Sequence, residues 1–178
     1  MSNDYQRINI AVKLPENIFR EAIKLSREIS KGNQAHFVLD GISFIPHITL
    51  YSPEYPSKNT DGVLEKVGLV IKDNSAFIVH PIEIRFHLGY IDIAFKKTTE
   101  WLALHKSIVN KLNPFRENHL REKYSDSEEL KQYSDQQQEY IKKYGYPEVF
   151  DSFTPHLTLS RLEDEKAAEK VTADLLPL

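Results

Sequence analysis

The feature of this chain that most constrains its fold is a ten-residue phrase that occurs twice. Residues 43–52 read SFIPHITLYS, and residues 152–161 read SFTPHLTLSR. The two copies are identical at six positions: Ser43/Ser152, Phe44/Phe153, Pro46/Pro155, His47/His156, Thr49/Thr158 and Leu50/Leu159. Each copy alternates apolar and polar residues, which is typical of a strand with one buried face. Two copies of the same strand pattern, far apart in the chain, indicate that each supplies half of one site.

Alternation assigns the side chains of each copy to two faces, because successive residues of a strand point to opposite sides. The predicted polar face carries His47, Thr49 and Tyr51 in the first copy, and His156, Thr158 and Ser160 in the second. The other face of each strand is apolar and serves as its anchor. Each polar face thus holds an imidazole and a hydroxyl roughly 6.5–7 Å apart along the strand.

Two imidazoles and two hydroxyls around one point suit acid–base chemistry on a phosphodiester. An imidazole, with an ordinary pKa near 6.5, both accepts and gives a proton at neutral pH. We expect one of His47 and His156 to take a proton from the nucleophile and the other to protonate the leaving oxygen. Thr49 and Thr158 are expected to donate hydrogen bonds to the phosphate oxygens. Neither copy contains a carboxylate, so the motifs predict no metal site and no cofactor.

The paired His-x-Thr motifs resemble those of the 2H phosphoesterase superfamily, which includes bacterial 2′-5′ RNA ligase-like proteins and 2′,3′-cyclic phosphodiesterases. The resemblance is tight over residues 44–51 and 145–162 and only architectural elsewhere. It implies an α+β, bilobal, pseudo-twofold fold in which antiparallel sheets line a central cleft and helices pack outside. It also implies that the two histidines are acid and base and that the two threonines are phosphate ligands.

Two further residues are weaker candidates for substrate binding. RNA ligase-like members often carry an arginine five residues after the second histidine, and Arg161 stands there in this chain. Simple alternation turns Arg161 to the apolar side, so it reaches the site only if the strand ends or bulges near Ser160; otherwise it is a surface arginine. Tyr51 shares the outward parity of the first copy and is expected either to stack on a base or to lie at the rim.

The rest of the chain reads as a mixture of strands and helices without strict alternation, which indicates an antiparallel α+β fold. Periodicity predicts strands over 7–14, 36–39, 44–51 and 153–161, a pair of strands over 76–95 with a break near Gly89, and helices over 16–31, 60–72, 99–112 and 163–175. We expect one domain over 1–178, with one motif copy in each half. Residues 114–143 are rich in charged residues of both signs and are predicted to be a polar flap or a helical insertion.

Composition excludes some classes of protein. The net charge of −3 argues against binding long nucleic acid, which usually requires a basic face. The absence of cysteine excludes disulfides and thiolate metal sites and is consistent with the cytoplasm. No apolar run approaches the ~20 residues of a membrane span, so no membrane partner is expected. We therefore expect a cytoplasmic monomer whose partner is a nucleotide or an RNA end.

These observations support three functional hypotheses. The first is a metal-independent phosphodiesterase that opens 2′,3′-cyclic phosphates of nucleotides or short RNA ends, reversible as 2′-5′ ligation, with a 2′-phosphate product implied by the resemblance. The second is a non-catalytic module that binds a nucleotide or an RNA end in the same cleft. The third, a metal hydrolase with His47 and His156 as ligands, is disfavoured because the motifs supply no carboxylate.

Overall fold

The computed structural model describes residues 5–175, and the ends of the predicted domain, 1–4 and 176–178, lie outside the described residues. The helices are α1 (Glu16–Ser30), α2 (Thr60–Lys72), α3 (Thr99–Leu112), α4 (Ser127–Lys131), α5 (Asp135–Tyr144) and α6 (Glu165–Leu175). The strands are β1 (Tyr5–Arg7), β2 (Ile10–Lys13), β3 (Ala35–Val38), β4 (His47–Tyr51), β5 (Glu54–Pro56), β6 (Pro81–His87), β7 (Tyr90–Phe95) and β8 (His156–Leu162). None of these helices is both long and apolar enough to cross a bilayer. The predicted α+β class with antiparallel sheets is confirmed.

The described chain divides into two compact units. The helical unit combines residues 5–10, 50–78 and 97–154, and the sheet unit combines residues 11–49, 79–96 and 155–175. The His-x-Thr parts of both copies lie in the sheet unit, since His47 and Thr49 of β4 and the whole of β8 belong to it. Each half of the chain carries one copy, as expected, and the fold brings the two His-x-Thr motifs into the same unit.

The sheet unit is built around β8, which carries the second copy. The strand order of its sheet is β2-β4-β8-β7-β6, and β3 also pairs with β8. Strands β3, β4 and β7 all run antiparallel to β8, and β6 runs antiparallel to β7. Helix α1 packs against β3 and β8, and α6 packs against β6, β7 and β8. With neighbours on both sides, β8 takes its register from strands that lie far away in sequence.

The hairpin between β6 and β7 confirms the predicted break near Gly89. Its two turn residues, Leu88 and Gly89, have φ values of 48° and 79°, and His87 pairs with Tyr90 across the turn. Two positive φ angles in a two-residue connection are typical of a type I′ turn, whose twist matches that of the strands. A Cβ atom on Gly89 would collide with the carbonyl oxygen of Leu162. Glycine therefore lets the turn lie against the end of β8.

Proline shortens both motif strands. The sequence pattern predicts that they begin at residues 44 and 153, but β4 begins at His47 and β8 at His156, each directly after a proline. Proline lacks an N–H group and so cannot donate to a ladder. The carbonyl of Pro155 still takes part, because it accepts from the backbone N–H of Phe95 at 2.9 Å. Each histidine is therefore the first residue of its strand.

The segment 114–143, expected to be a polar flap or a helical insertion, contains α4 and all but the last residue of α5. Its base is held by Arg116, whose side chain is fully buried. The guanidinium donates to the backbone carbonyls of His119 and Lys143, the second at 2.9 Å, and to Asn113 Oδ1 at 3.3 Å. Burial lowers the pKa of Arg116 from its ordinary value. One arginine thus ties the beginning of this segment to its end.

Candidate functional site

The two motif strands are direct neighbours in the sheet. Ile48 of β4 pairs with Leu157 of β8 in an antiparallel ladder. One step along each strand from this pair places His47 beside Thr158 and Thr49 beside His156. Side chains directly opposite each other share a face, with Cβ atoms about 4.5–5.5 Å apart. The register therefore brings both histidines and both threonines to one face of one sheet, a group that we call the motif block.

Burial follows the predicted alternation at these positions. Ile48 and Leu157, on the other face, are each 1% exposed, whereas the four residues of the motif block are half-buried. A residue that is fixed in the sheet but still reachable is what a reacting group needs. The prediction of an apolar face and a polar face is confirmed for residues 47–49 and 156–158.

A β-bulge interrupts the alternation in β8. Thr158 pairs with Asp92 of β7 and Ser160 pairs with Ile91, so Leu159 is an extra residue without a partner in that ladder. Ser160 consequently turns to the α1 side, where its Oγ lies 3.2 Å from Ser30 Oγ and donates to the Phe37 carbonyl at 3.2 Å. The prediction that Ser160 shares a face with His156 and Thr158 is wrong, because a bulge shifts the parity of every later residue.

The same bulge turns Arg161 to the face of the motif block. Arg161 pairs with Tyr90 of β7, two residues before Asp92 on the same face. Its guanidinium carbon lies 4.7 Å from the centroid of the Tyr90 ring, a cation–π contact that orients the side chain. The condition for a role of Arg161 in the site, a bulge near Ser160, is therefore met. Its contact with a phosphate stays a prediction.

Tyr51 does not face the motif block. Its side chain is fully buried in the helical unit, and its hydroxyl donates to the carbonyl of Tyr144 at 2.6 Å. Burial raises the pKa of Tyr51 well above its ordinary value. The prediction that Tyr51 faces outward, to stack on a base or to line the rim, is wrong. Two successive residues of β4, Leu50 and Tyr51, are both buried, so alternation ends at Thr49.

The backbone before β4 orients His47. Its Nδ1 lies 2.6 Å from the carbonyl oxygen of Ile45, and a carbonyl only accepts, so Nδ1 carries a proton. In the neutral ring Nε2 is then the basic nitrogen. The loop that positions Ile45 is held by Asp40, whose Oδ1 accepts from the backbone N–H groups of residues 42, 43 and 44 at 2.8–2.9 Å. The bonds from Phe44 and Ile42 hold the pKa of Asp40 below its ordinary value.

Sequence reasoning missed Asp92, which the fold brings to the same face. It pairs with Thr158 on one side and with Arg85 of β6 on the other. Its side chain is only 7% exposed. The available signal was a single aspartate in the otherwise apolar run YIDIAF, because a carboxylate is rarely buried unless it is paired with another group. Across residues 5–175, no three His, Asp or Glu side chains are grouped as metal ligands.

Comparison with known proteins gives the family to which this chain belongs. No curated protein matched the sequence. A family model described as "Protein of unknown function (DUF1045)" matches residues 54–177. The matched range includes β6, β7 and β8, and it begins just after the first motif copy. Since the match covers more than half of the chain, this protein belongs to the DUF1045 family.

Proposed function

We propose that the protein is a metal-independent phosphodiesterase of the 2H type, which opens 2′,3′-cyclic phosphates of nucleotides or short RNA ends. One observation carries the proposal: the pairing of Ile48 with Leu157 sets two His-x-Thr motifs side by side on one sheet face. If the two strands were alike for packing alone, only their apolar residues would need to match. The coincidence of both polar pairs at one place supports a shared chemical task.

The arrangement of the motif block suits a phosphoryl group. Each histidine lies beside the threonine of the other strand, so the two imidazoles occupy one diagonal and the two hydroxyls the other. Diagonal neighbours on adjacent strands are roughly 7–8 Å apart. An anion above the centre of the block is within reach of all four side chains. The hydroxyls donate to its non-bridging oxygens, where charge grows in the transition state.

The proposed reaction is an in-line displacement by water. One imidazole removes a proton from water as the new P–O bond forms, and the other imidazole protonates the ribose oxygen as its bond to phosphorus breaks. The products are a phosphomonoester and a free ribose hydroxyl, and the two rings have exchanged their protonation states. By resemblance to the superfamily, the ester remains on the 2′ oxygen. With an RNA 5′-hydroxyl in place of water, the same displacement on the cyclic phosphate expels the 3′ oxygen and joins two ends through a 2′-5′ bond, and its reverse cleaves that bond.

The proposal also covers the size of the substrate, the compartment and the oligomeric state of the enzyme. The net charge of −3 favours a small nucleotide-derived diester over a long RNA. We place the enzyme in the cytoplasm as a monomer, in agreement with a chain without cysteine.

The test is a turnover assay on the four nucleoside 2′,3′-cyclic phosphates, with and without EDTA. We expect hydrolysis that survives EDTA and that His47→Ala or His156→Ala lowers by about 10²–10⁴ in kcat, as for loss of a general acid or base. His36→Ala is the matched control, since His36 is exposed on β3 beside Phe37, and it should leave turnover unchanged. Saturable binding without hydrolysis would instead support a binding module. Activity that EDTA abolishes would support a metal enzyme.

A further inference from the structure

A second group of four side chains adjoins the motif block on the same sheet face. Thr158 and Arg161 of β8 pair with Asp92 and Tyr90 of β7. We call these four residues the second block. It shares Thr158 with the motif block, so the two groups are contiguous. From strand spacing, their centres lie roughly 8 Å apart, one strand across and one two-residue step along.

Asp92 contributes an acceptor that lacks a partner. Its Oδ1 is buried and makes no hydrogen bond within residues 5–175. In the same range its carboxylate forms no ion pair within 4 Å, although Arg85 lies opposite on β6. A buried carboxylate oxygen without a partner is unfavourable, and in native proteins such groups usually meet a ligand or an ordered water. Asp92 is also the only carboxylate among the buried residues of the described chain.

Arg161 contributes a donor in the same situation. Its Nε is buried and makes no hydrogen bond in the described part of the chain. The guanidinium lies over the ring of Tyr90 instead of on a carboxylate. The second block therefore holds one unsatisfied donor and one unsatisfied acceptor of opposite charge. A hydroxyl is the simplest group that satisfies both, because its oxygen accepts from an N–H while its proton goes to a carboxylate.

We propose that the second block is a subsite for a free hydroxyl of the substrate's alcohol portion, which donates to Asp92 and accepts from Arg161. This inference rests on the proposed function, since the motif block then holds the phosphate. A nucleoside 2′,3′-cyclic phosphate carries such a group in its 5′-hydroxyl, separated from phosphorus by the sugar. In an RNA end the 5′ oxygen is esterified and has no proton to donate. The subsite therefore selects a mononucleoside or a similar sugar-borne cyclic phosphate over an RNA end.

The test measures binding of two product-type ligands that are not turned over. These are adenosine 2′-monophosphate and 5′-deoxyadenosine 2′-monophosphate, which differ by one hydroxyl. By calorimetry, the wild-type protein should bind the deoxy ligand about 10- to 100-fold more weakly, as for loss of a hydrogen bond to charged groups. In Asp92→Ala the two ligands should bind with equal affinity, and Arg161→Met should reduce the ratio as well. Asp92→Asn keeps the shape and one acceptor oxygen, so it should keep a smaller ratio.

Glu83→Gln is the matched control. Glu83 lies on the same face of β6, opposite Ala94, and its side chain is exposed. This variant should keep the wild-type ratio. If Asp92→Ala does not fold, by circular dichroism and thermal melting, Asp92→Asn carries the comparison.

The outcomes separate the subsite from the proposed function. Equal affinity of the wild-type protein for the two ligands, or an unchanged ratio in folded Asp92 variants, overturns the subsite and leaves the phosphodiesterase standing. Binding with the expected ratio, but no hydrolysis of any cyclic phosphate, keeps the subsite and overturns the catalysis. Failure of the wild-type protein to bind either ligand overturns both.

Discussion

The two copies of the repeated phrase start alike and end differently. From the histidine to the threonine, β4 and β8 present the same side chains to the same face. After the shared leucine, the first copy continues with Tyr51, which enters the core of the helical unit. The second continues with Ser160 and Arg161, which a bulge turns to the α1 side and to the site face respectively. The comparison shows that a repeat predicts the facing of side chains only as far as both copies keep regular alternation.

Neighbours explain the difference. β8 is paired on both sides, and Leu159 has no partner on β7, so the ladder accommodates one extra residue there. β4 leaves the sheet unit after Thr49, and the hydroxyl of Tyr51 is bonded to the carbonyl of Tyr144. The two copies share the sequence His-x-Thr-Leu. Within two residues after that leucine, they pack against different parts of the structure.

The largest loss of activity should come from substitutions in the His-x-Thr stretch that both copies share, where the two copies are expected to be equivalent. His47→Ala and His156→Ala should each reduce kcat by about 10²–10⁴, and the two reductions should agree within about tenfold because each ring serves one proton transfer. The measurement is kcat on the preferred nucleoside 2′,3′-cyclic phosphate. If one variant keeps near-wild-type turnover, the copies are not equivalent and the acid–base pair is wrong.

His105 of α3 joins the first copy to the segment just before the second. Its Nδ1 donates to the Leu50 carbonyl at 2.9 Å, and its Nε2 accepts from the Phe150 N–H at 2.9 Å, so the ring is neutral. Burial lowers the pKa of His105 to about 4, from an ordinary value of 6.5. Between these two values the unfolded chain binds a proton that the folded chain does not. This contribution to stability is therefore complete above about pH 6.5 and is lost as the pH falls toward 4.

We expect His105 to make the free energy of unfolding fall by up to about 3 kcal/mol between pH 7 and pH 4. Urea titrations of the wild-type protein and of His105→Gln over this range isolate the effect, since the carboxylates titrate equally in both. The difference between the two curves should shrink as the pH falls. A constant difference would mean that His105 has the same pKa in the folded protein as in the unfolded chain.

A smaller effect is expected from the threonines. Thr49→Val and Thr158→Val remove the hydroxyl and keep the branched shape, so each should reduce kcat about 10- to 100-fold, less than loss of a histidine. KM should change less than kcat, because the hydroxyls act on charge that develops during the reaction. Steady-state kinetics on the same substrate give both values. Unchanged kcat in either variant would remove that threonine from the phosphate site.

The smallest effect concerns the residue at which the copies diverge. Tyr51→Phe deletes the hydroxyl that bonds to Tyr144, which should destabilise the protein by about 1–2 kcal/mol. Because the side chain of Tyr51 is buried within the helical unit, kcat should not change. Denaturant unfolding and the turnover assay test the two parts separately. Lower kcat in a variant of normal stability would return Tyr51 to the site.

Much of the fold was predictable because its signals are local. The breaks at Pro15 and near Gly89 and the apolar periodicity of α1 to α3 depend on residues close in sequence. The predicted strand over 7–14 was less accurate, because the chain forms β1 and β2 with Ile8 between them bonded to the carbonyl of Pro53. Such a bond joins residues that are far apart in sequence, so no local sequence pattern predicts it.

The sequence by itself determined which groups the motif block presents: two imidazoles and two hydroxyls, an imidazole and a hydroxyl one strand repeat apart on each strand, since strand alternation needs no information from outside the segment. Tertiary structure alone decided which further side chains join them. Asp92 and Arg161 lie on the face of the motif block and Tyr51 is buried, because the facing of a residue beyond a bulge or a strand end depends on the register of partner strands. That register is set by contacts between residues far apart in the chain.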